Sequence, residues 1–204
     1  MPLHQLLTIG HSNRTIEEFI TLLRQNHVAA VADVRSQPFS RRYPQFNAEP
    51  LKLETRNAGI EYVFLGDQLG ARRSEPECYD EGQAKYELIA RTEAFQKGLD
   101  RIRRGLRSRC IALMCAEKDP LTCHRMILVC RHLKGECDIF HVLDSDKVEL
   151  HIQAELRLLE LVGLPSRDLF QTTDELLTQA YEIQGGKIAF RGVPHAATKT
   201  GQEE

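Results

Sequence analysis

Long apolar runs are missing from this chain. No stretch of its 204 residues approaches membrane-spanning length, and Met1-Pro2-Leu3-His4-Gln5-Leu6 has no cationic region leading into an apolar one. Neither a transmembrane helix nor a secretory leader is expected, and the reading is a cytoplasmic protein with no membrane partner. An excess of one charge is missing too: 27 Lys and Arg stand against 29 Asp and Glu, a net charge of −2. That balance excludes a surface that is basic all over, so any nucleic-acid contact must be local. Finally, Cys78, Cys110, Cys115, Cys123, Cys130 and Cys137 include no CxxC pair. A cytoplasmic chain of this length does not need disulfides, and free thiols are expected. There is no internal repeat.

The composition that is present is ordinary for a globular protein, 42% hydrophobic and 27% charged. The length suits one well-buried core, expected as a single α/β domain over residues 6–191 with a flexible tail at 192–204. Residues 6–9 form a short apolar run ended by Gly10, and Thr15-Ile16-Glu17-Glu18 reads as a capping box opening a helix. Ile16, Phe19, Ile20 and Leu23 give that helix one apolar stripe. Residues 28–32 are apolar without alternation, as in a strand covered on both faces, and Asp33-Val34-Arg35 ends it. Asn47 is placed to cap a helix towards Ala58, Gly59 to stop it, and residues 60–64 to form a third strand. Residues 65–82 make a long Gly-, Arg- and Glu-rich connection of the functional or mobile kind.

Further on, Thr92 caps a helix through Phe95, Leu99 and Ile102, and residues 110–115 form a fourth strand. Thr122 is placed to cap a helix carrying Met126, Ile127, Val129 and Cys130, stopped by Gly135, before a fifth strand at 138–143. Helices near 147–162 and 173–183 follow, and residues 187–190 are a short strand or a docked tail. Strands alternating with helices imply right-handed crossovers. The expected fold is therefore α/β, an open doubly wound and mainly parallel sheet of about five strands, with helices on both faces and C-terminal helices outside.

In such sheets ligands bind beyond the carboxyl ends of the strands. Four of the loops there are rich in polar and ionisable residues. Gly10-His11-Ser12-Asn13-Arg14 follows the first strand, and the second is followed by a loop from Asp33 through Arg35, Pro38 and Ser40 to Arg41 and Arg42. Leu69-Gly70-Ala71-Arg72-Arg73 belongs to the third, and the fourth runs from Cys115-Ala116-Glu117 to Cys123-His124-Arg125.

Those residues carry a resemblance. Gly10-His11-Ser12, Asp33-Val34-Arg35 with Pro38 and Ser40, Leu69-Gly70, and Cys115-Ala116-Glu117 with Cys123-His124-Arg125 together resemble the bacterial and archaeal domain-of-unknown-function 488 family over residues 8–143. Residues 144–191 would then be a helical extension. Members often show a second glycine after Leu-Gly, where this chain has Ala71. The resemblance implies a shared site and no particular reaction.

Read chemically, Arg35, Arg41, Arg42, Arg72, Arg73 and Arg125 are forked donors suited to phosphate or carboxylate, with Arg35, Arg41 and Arg125 the expected binding arginines, and a helix start at Thr122 would add backbone N–H groups. Gly10, His11, Ser12 and Ser40 complete the expected binding set. Arg72 and Arg73 read as solvated surface charges. Glu117 and His124 are the expected acid–base pair, with Asp33 or His11 orienting water or a substrate hydroxyl. Glu117 alone, if structural, would pair with Arg35 or Arg125.

Cys115 stands where rhodanese-like and protein-phosphatase folds hold a thiolate, so Cys115 or Cys123 as nucleophile is the alternative. A non-catalytic sensor of a nucleotide or nucleic acid is the third reading. Zinc on Cys115, Cys123 and His124 is the weakest, because the spacing matches no usual pattern and adjacent Cys-His side chains seldom converge. No metal or other cofactor is expected, the partner is an anionic small molecule or nucleic acid, and the oligomeric state is open. The arginines at 101–109 precede the fourth strand and so belong at the far end of the sheet.

Overall fold

The computed structural model describes residues 5–192. Strand β1 (Gln5–Gly10) leads into α1 (Ile16–Gln25), β2 (Ala30–Asp33), α2 (Ala48–Asn57) and β3 (Glu61–Phe64). The long connection that follows is ordered: a one-turn α3 (Gly66–Leu69), then a small hairpin of β4 (Tyr79–Asp80) and β5 (Gln83–Ala84), then α4 (Tyr86–Arg91). Next come α5 (Glu93–Leu106) and β6 (Ile111–Cys115). A 3-10 turn at Pro120–Thr122 and a π-helical turn at Arg125–Val129 separate β6 from β7 (Asp138–Asp144). Strand β8 (Lys147–Leu150) and helices α6 (His151–Val162) and α7 (Thr173–Ile188) complete the chain.

The main sheet has the order β3-β2-β6-β1-β7-β8, with parallel neighbours throughout except β7 and β8. It is a mixed, mostly parallel α/β sheet of six strands rather than about five. The additional strand lies where a helix was expected to begin. Four residues of alternation, Lys147 to Leu150, run straight into helical sequence, and the boundary is set by the Gln153 side chain, whose Oε1 accepts from the Leu150 N–H at 3.1 Å. That bond caps α6 one residue after β8 ends.

Alternate residues of the central strands face opposite layers. Leu7, Ile9, Val31, Ala112 and Met114 pack with Phe19, Leu23 and Leu51 of α1 and α2. Leu6, Ala32, Ile111 and Leu113 pack with Phe95, Leu99 and Ile102 of α5 on the other side. The capping box of α1 forms as expected, Thr15 Oγ1 accepting from Glu18 N and the Glu18 carboxylate accepting from Thr15 N at 2.8 Å. Thr92 caps α5 by accepting from Phe95 N. Asn47 precedes α2 but its Oδ1 accepts from Ser40 N at 2.6 Å, so it pins the loop after β2 instead of capping the helix.

Thr122 caps no helix. Its hydroxyl bonds Asp119 O, and the backbone N–H groups of Cys123, Met126 and Ile127 are used by Pro120 O and Cys123 O. The expected anion site at a helix start is therefore absent among the described residues. Helices α6 and α7 pack on Leu121, Met126 and Ile127. Lys187 and Ile188 are the last turn of α7, and beyond it Phe190 O accepts from Ala84 N at 2.9 Å, so the segment docks on β5. The tail from residue 193 onward, with His195, and the N-terminal His4 lie outside the described residues. No described helix is long and apolar enough to cross a membrane.

Candidate functional site

The sheet register places three strand ends side by side. Gly10 is level with Cys115, and Asp33 with Met114. Adjacent strands are about 4.8 Å apart, so the loops after β1, β2 and β6 must meet. Gly10 permits the closest approach, because a Cβ there would lie 1.8 Å from Glu117 O. His11 N and Ser12 N extend the ladder by donating to Cys115 O and Ala116 O, both at 2.9 Å.

Two arginines hold these loops from below. Arg125 is fully buried and donates to Glu117 O at 2.7 Å, Lys118 O at 2.9 Å and Thr8 Oγ1 at 3.4 Å. Arg14 donates to Gly10 O at 2.6 Å and Leu143 O at 2.5 Å. A guanidinium spent on carbonyls is a strut, so Arg125 is not the expected anion clamp.

Arg35 is held differently. Its Nε and Nη2 form a forked pair with the Asp33 carboxylate at 2.9 and 2.6 Å, and Nη2 also donates to Phe46 O. Asp33 accepts further from Arg35 N and from the Tyr62 hydroxyl at 2.8 Å. Burial, followed by the Asp33 charge, pushes the Tyr62 phenol pKa up. Asp33 is thus a fully buried anchor for Arg35, and the expected role in orienting substrate has no access. Arg35 Nη1 is turned to His11 Nε2 at 3.5 Å. His11 stacks on Phe46 at 4.4 Å and its Nδ1–H donates to Ser12 O. Burial first, then the Arg35 charge, lowers the His11 pKa to about 4, so the ring is neutral near pH 7.

The third loop folds onto the second. Arg72 N donates to Ser36 Oγ at 2.8 Å, and a Cβ on Gly70 would lie 2.5 Å from the same oxygen. Arg72 therefore reaches the site, its guanidinium 4.7 Å over the Phe190 ring. Arg73 is buried and donates to Asp67 O and Glu75, so neither arginine is the plain solvated charge expected.

In the fourth loop the side chains of Cys115, Cys123 and His124 converge, with all three potential ligand atoms within 4.8 Å of one another. His124 Nε2–H donates to Val34 O at 2.9 Å, leaving Nδ1 3.8 Å from Cys115 Sγ and 4.0 Å from Cys123 Sγ. Cys123 Sγ also accepts from Arg125 N at 3.4 Å. Burial opposes ionisation of Cys123, but the Cys115 hydrogen bond and the Arg125 charge bring its pKa down, while the Cys115 pKa rises through the Cys123 hydrogen bond and burial. Burial also acts against a charged His124, and Cys123 overcomes it, raising that pKa. Glu117 is reached by solvent yet walled in, and desolvation followed by Cys123 raises its pKa. Its carboxylate makes no ion pair among the described residues, so the structural alternative of a salt bridge with Arg35 or Arg125 is not formed.

These loops enclose a cavity of about 600 Å³. Glu117, His124, Cys115, Cys123, His11, Ser12, Arg35 and Ser40 line it, whereas Asp33, Gly10, Arg41 and Arg125 do not. Arg42 takes the place expected for Arg41. Arg72, read from sequence as a surface charge, also lines it, and Lys118 and the aromatic Phe39, Tyr43, Tyr86 and Phe190 were not anticipated. Arg42 was legible as a forked donor in the second loop, whereas nothing local points to Tyr86 or Phe190. The arginines of 101–109 do sit at the opposite end of the sheet, where Arg103 pairs with Glu136 and Arg109 with Glu61, the residue that opens β3.

A comparison with known families matches residues 15–131 to Domain of unknown function DUF488. The match takes in the loops after β2, β3 and β6, and is narrower than the 8–143 expected, leaving Gly10-His11-Ser12 outside it. No curated protein and no solved structure matches the chain.

Proposed function

This chain belongs to the Domain of unknown function DUF488 family, a premise that names no reaction, and we propose from its cavity that it is an enzyme acting on an anionic, phosphate-bearing substrate related to nucleotides or nucleic-acid ends. The observation that carries the reading is the charge imbalance of the wall. Arg42 and Arg72 face the cavity with no ion pair among the described residues, Arg35 and Lys118 line it while paired to Asp33 and Asp144, and Glu117 is the single lining carboxylate among the described residues. Arg35 is preorganised by Asp33, so little side-chain freedom is lost when it meets an anion. Phe39, Tyr43, Tyr86 and Phe190 offer ring faces on which a base can stack. A volume of about 600 Å³ lies within the usual range for small-ligand sites.

Glu117 is the group proposed to move protons, because among the described residues it alone on the wall combines a carboxylate with access. The expected pairing with His124 loses support, since one ring nitrogen of His124 is bound to Val34 O and the other faces sulphur. Residues 6–191 are proposed as one folding unit, in which the C-terminal extension supplies Ile188 and Phe190 to the cavity.

Calorimetric titration with nucleoside phosphates and with phosphate-free nucleosides tests the reading. Phosphate-dependent binding is expected, weakened about tenfold by Arg72→Ala or Arg42→Ala, the loss of one charge-assisted contact. Glu117→Gln is expected to keep binding and lose any turnover found in a substrate screen. Binding without turnover in the unaltered protein favours a sensor. Absence of phosphate-dependent binding sinks the reading altogether.

A further inference from the structure

We propose that Cys115, Cys123 and His124 are three ligands of a zinc-class divalent ion whose fourth position faces the cavity. The donor set stands on its own geometry, while the use of its open position rests on the reading of the cavity as a substrate site. The local backbone explains a convergence that spacing alone argues against. Adjacent side chains in an extended segment point apart, but Cys123 is extended (φ −133°, ψ 138°) and His124 is helical (φ −60°). The change of conformation between them turns both side chains to the side on which β6 ends with Cys115.

The separations suit a shared ion. Tetrahedral zinc with bonds of about 2.3 Å to sulphur and about 2.1 Å to nitrogen has S···N edges of about 3.6 Å. The two edges here are 3.8 and 4.0 Å, close enough for small side-chain rotations to complete them. A hydrogen-bonded chain from the Cys115 thiol to Cys123 Sγ and on to His124 Nδ1 connects the same atoms, so the metal assignment rests on the donor types and their convergence. A cation between the three satisfies all of them.

The surroundings are those of a ligand set. His124 donates Nε2–H to a backbone carbonyl, the outer contact that holds a metal-binding imidazole with its other nitrogen unprotonated. The Arg125 N–H donates to Cys123 Sγ, and the buried Arg125 guanidinium lies behind the loop, so negative charge on sulphur is compensated. Two sulphurs and an imidazole select zinc-like metals over magnesium or calcium. Three protein ligands with an open position are the composition of a catalytic rather than a structural zinc centre, and Glu117 stands on the same wall.

The test is cobalt and zinc titration of the full chain, reduced and stripped of metal, with no nucleotide present. One ion per chain is expected. Cobalt should give the d–d bands of tetrahedral coordination and near-ultraviolet charge-transfer absorption of an intensity matching two cobalt–sulphur bonds. Zinc should abolish the cobalt spectrum, and Cys115→Ser, Cys123→Ser or His124→Ala should weaken binding about 100-fold, with Cys110→Ser as an unaffected control. If the variants fail to fold, the unaltered chain still decides. Absence of tight binding, or a cobalt spectrum with fewer than two sulphur ligands, overturns the proposal, as does binding that survives loss of His124. Because phosphate binding is measured separately, failure here leaves the cavity reading untouched, and failure there leaves the metal site untouched.

Discussion

His11 links the site to pH. In the unfolded chain its pKa is near the ordinary 6.5, and in the folded protein burial and Arg35 lower it to about 4. Between those values the unfolded chain binds a proton that the native protein refuses. Stability contributed by neutral His11 is therefore fully present above pH 6.5, is lost as pH falls towards 4, and declines no further below that. The full extent is about 3 kcal/mol. His141 and His151, also lowered by burial, act in the same direction. Urea midpoints measured against pH should fall across this window and fall less steeply in His11→Gln. Equal slopes would show that His11 is not responsible.

At the scale of elements, the ends of β1 and β6 are locked by one absent side chain and one buried cation. Gly10→Ala forces a Cβ against Glu117 O, a backbone atom that cannot rotate away, and should cost about 3 kcal/mol with displacement of the 115–118 loop. Arg125→Met removes the donors to Glu117 O, Lys118 O and Thr8 Oγ1 and should cost about 3–5 kcal/mol. Thermal melts check both. Read from sequence as an anion donor, Arg125 would be replaceable by Ala at the cost of anion binding and not of the fold. The buried carbonyl contacts reverse that expectation, and unchanged melting in Arg125→Met would restore it.

Across the molecule, a buried polar chain ties the sheet to the C-terminal helices. Thr8 Oγ1 meets His141 Nδ1 at 2.8 Å, His141 Nε2 meets His151 Nδ1 at 3.0 Å, and the Tyr181 hydroxyl joins His151 Nε2 to Glu155 at 3.2 and 3.1 Å. Burying such groups without partners is costly. A chain ending at Asp144 would strand His141 and uncover Leu121, Met126 and Ile127, and it would lose Ile188 and Phe190 from the cavity. It should show no cooperative unfolding transition by circular dichroism. A truncated chain that melts cooperatively would separate the extension from the folding unit proposed here.

Some of this was determined along the chain itself. Apolar runs such as 28–32 and capping residues such as Thr15 and Thr92 act over a few residues, so strand, helix and the polar loops between them are legible from sequence. With them comes the end of the sheet where the site lies. What a charged group touches is decided by chain segments far away. Arg35 and Arg125 look alike in sequence, yet one keeps an Nη1 towards His11 while the other is consumed by the carbonyls of Glu117 and Lys118. Arg41 and Arg42 are adjacent and both exposed, yet only Arg42 of the two lines the cavity. His124 is held beside Cys115 and Cys123 by its bond to Val34 O, and the aromatic wall is assembled from the loop after β2, the start of α4 and the segment beyond α7. Those outcomes depend on packing between segments distant in sequence, and only the tertiary structure decides them.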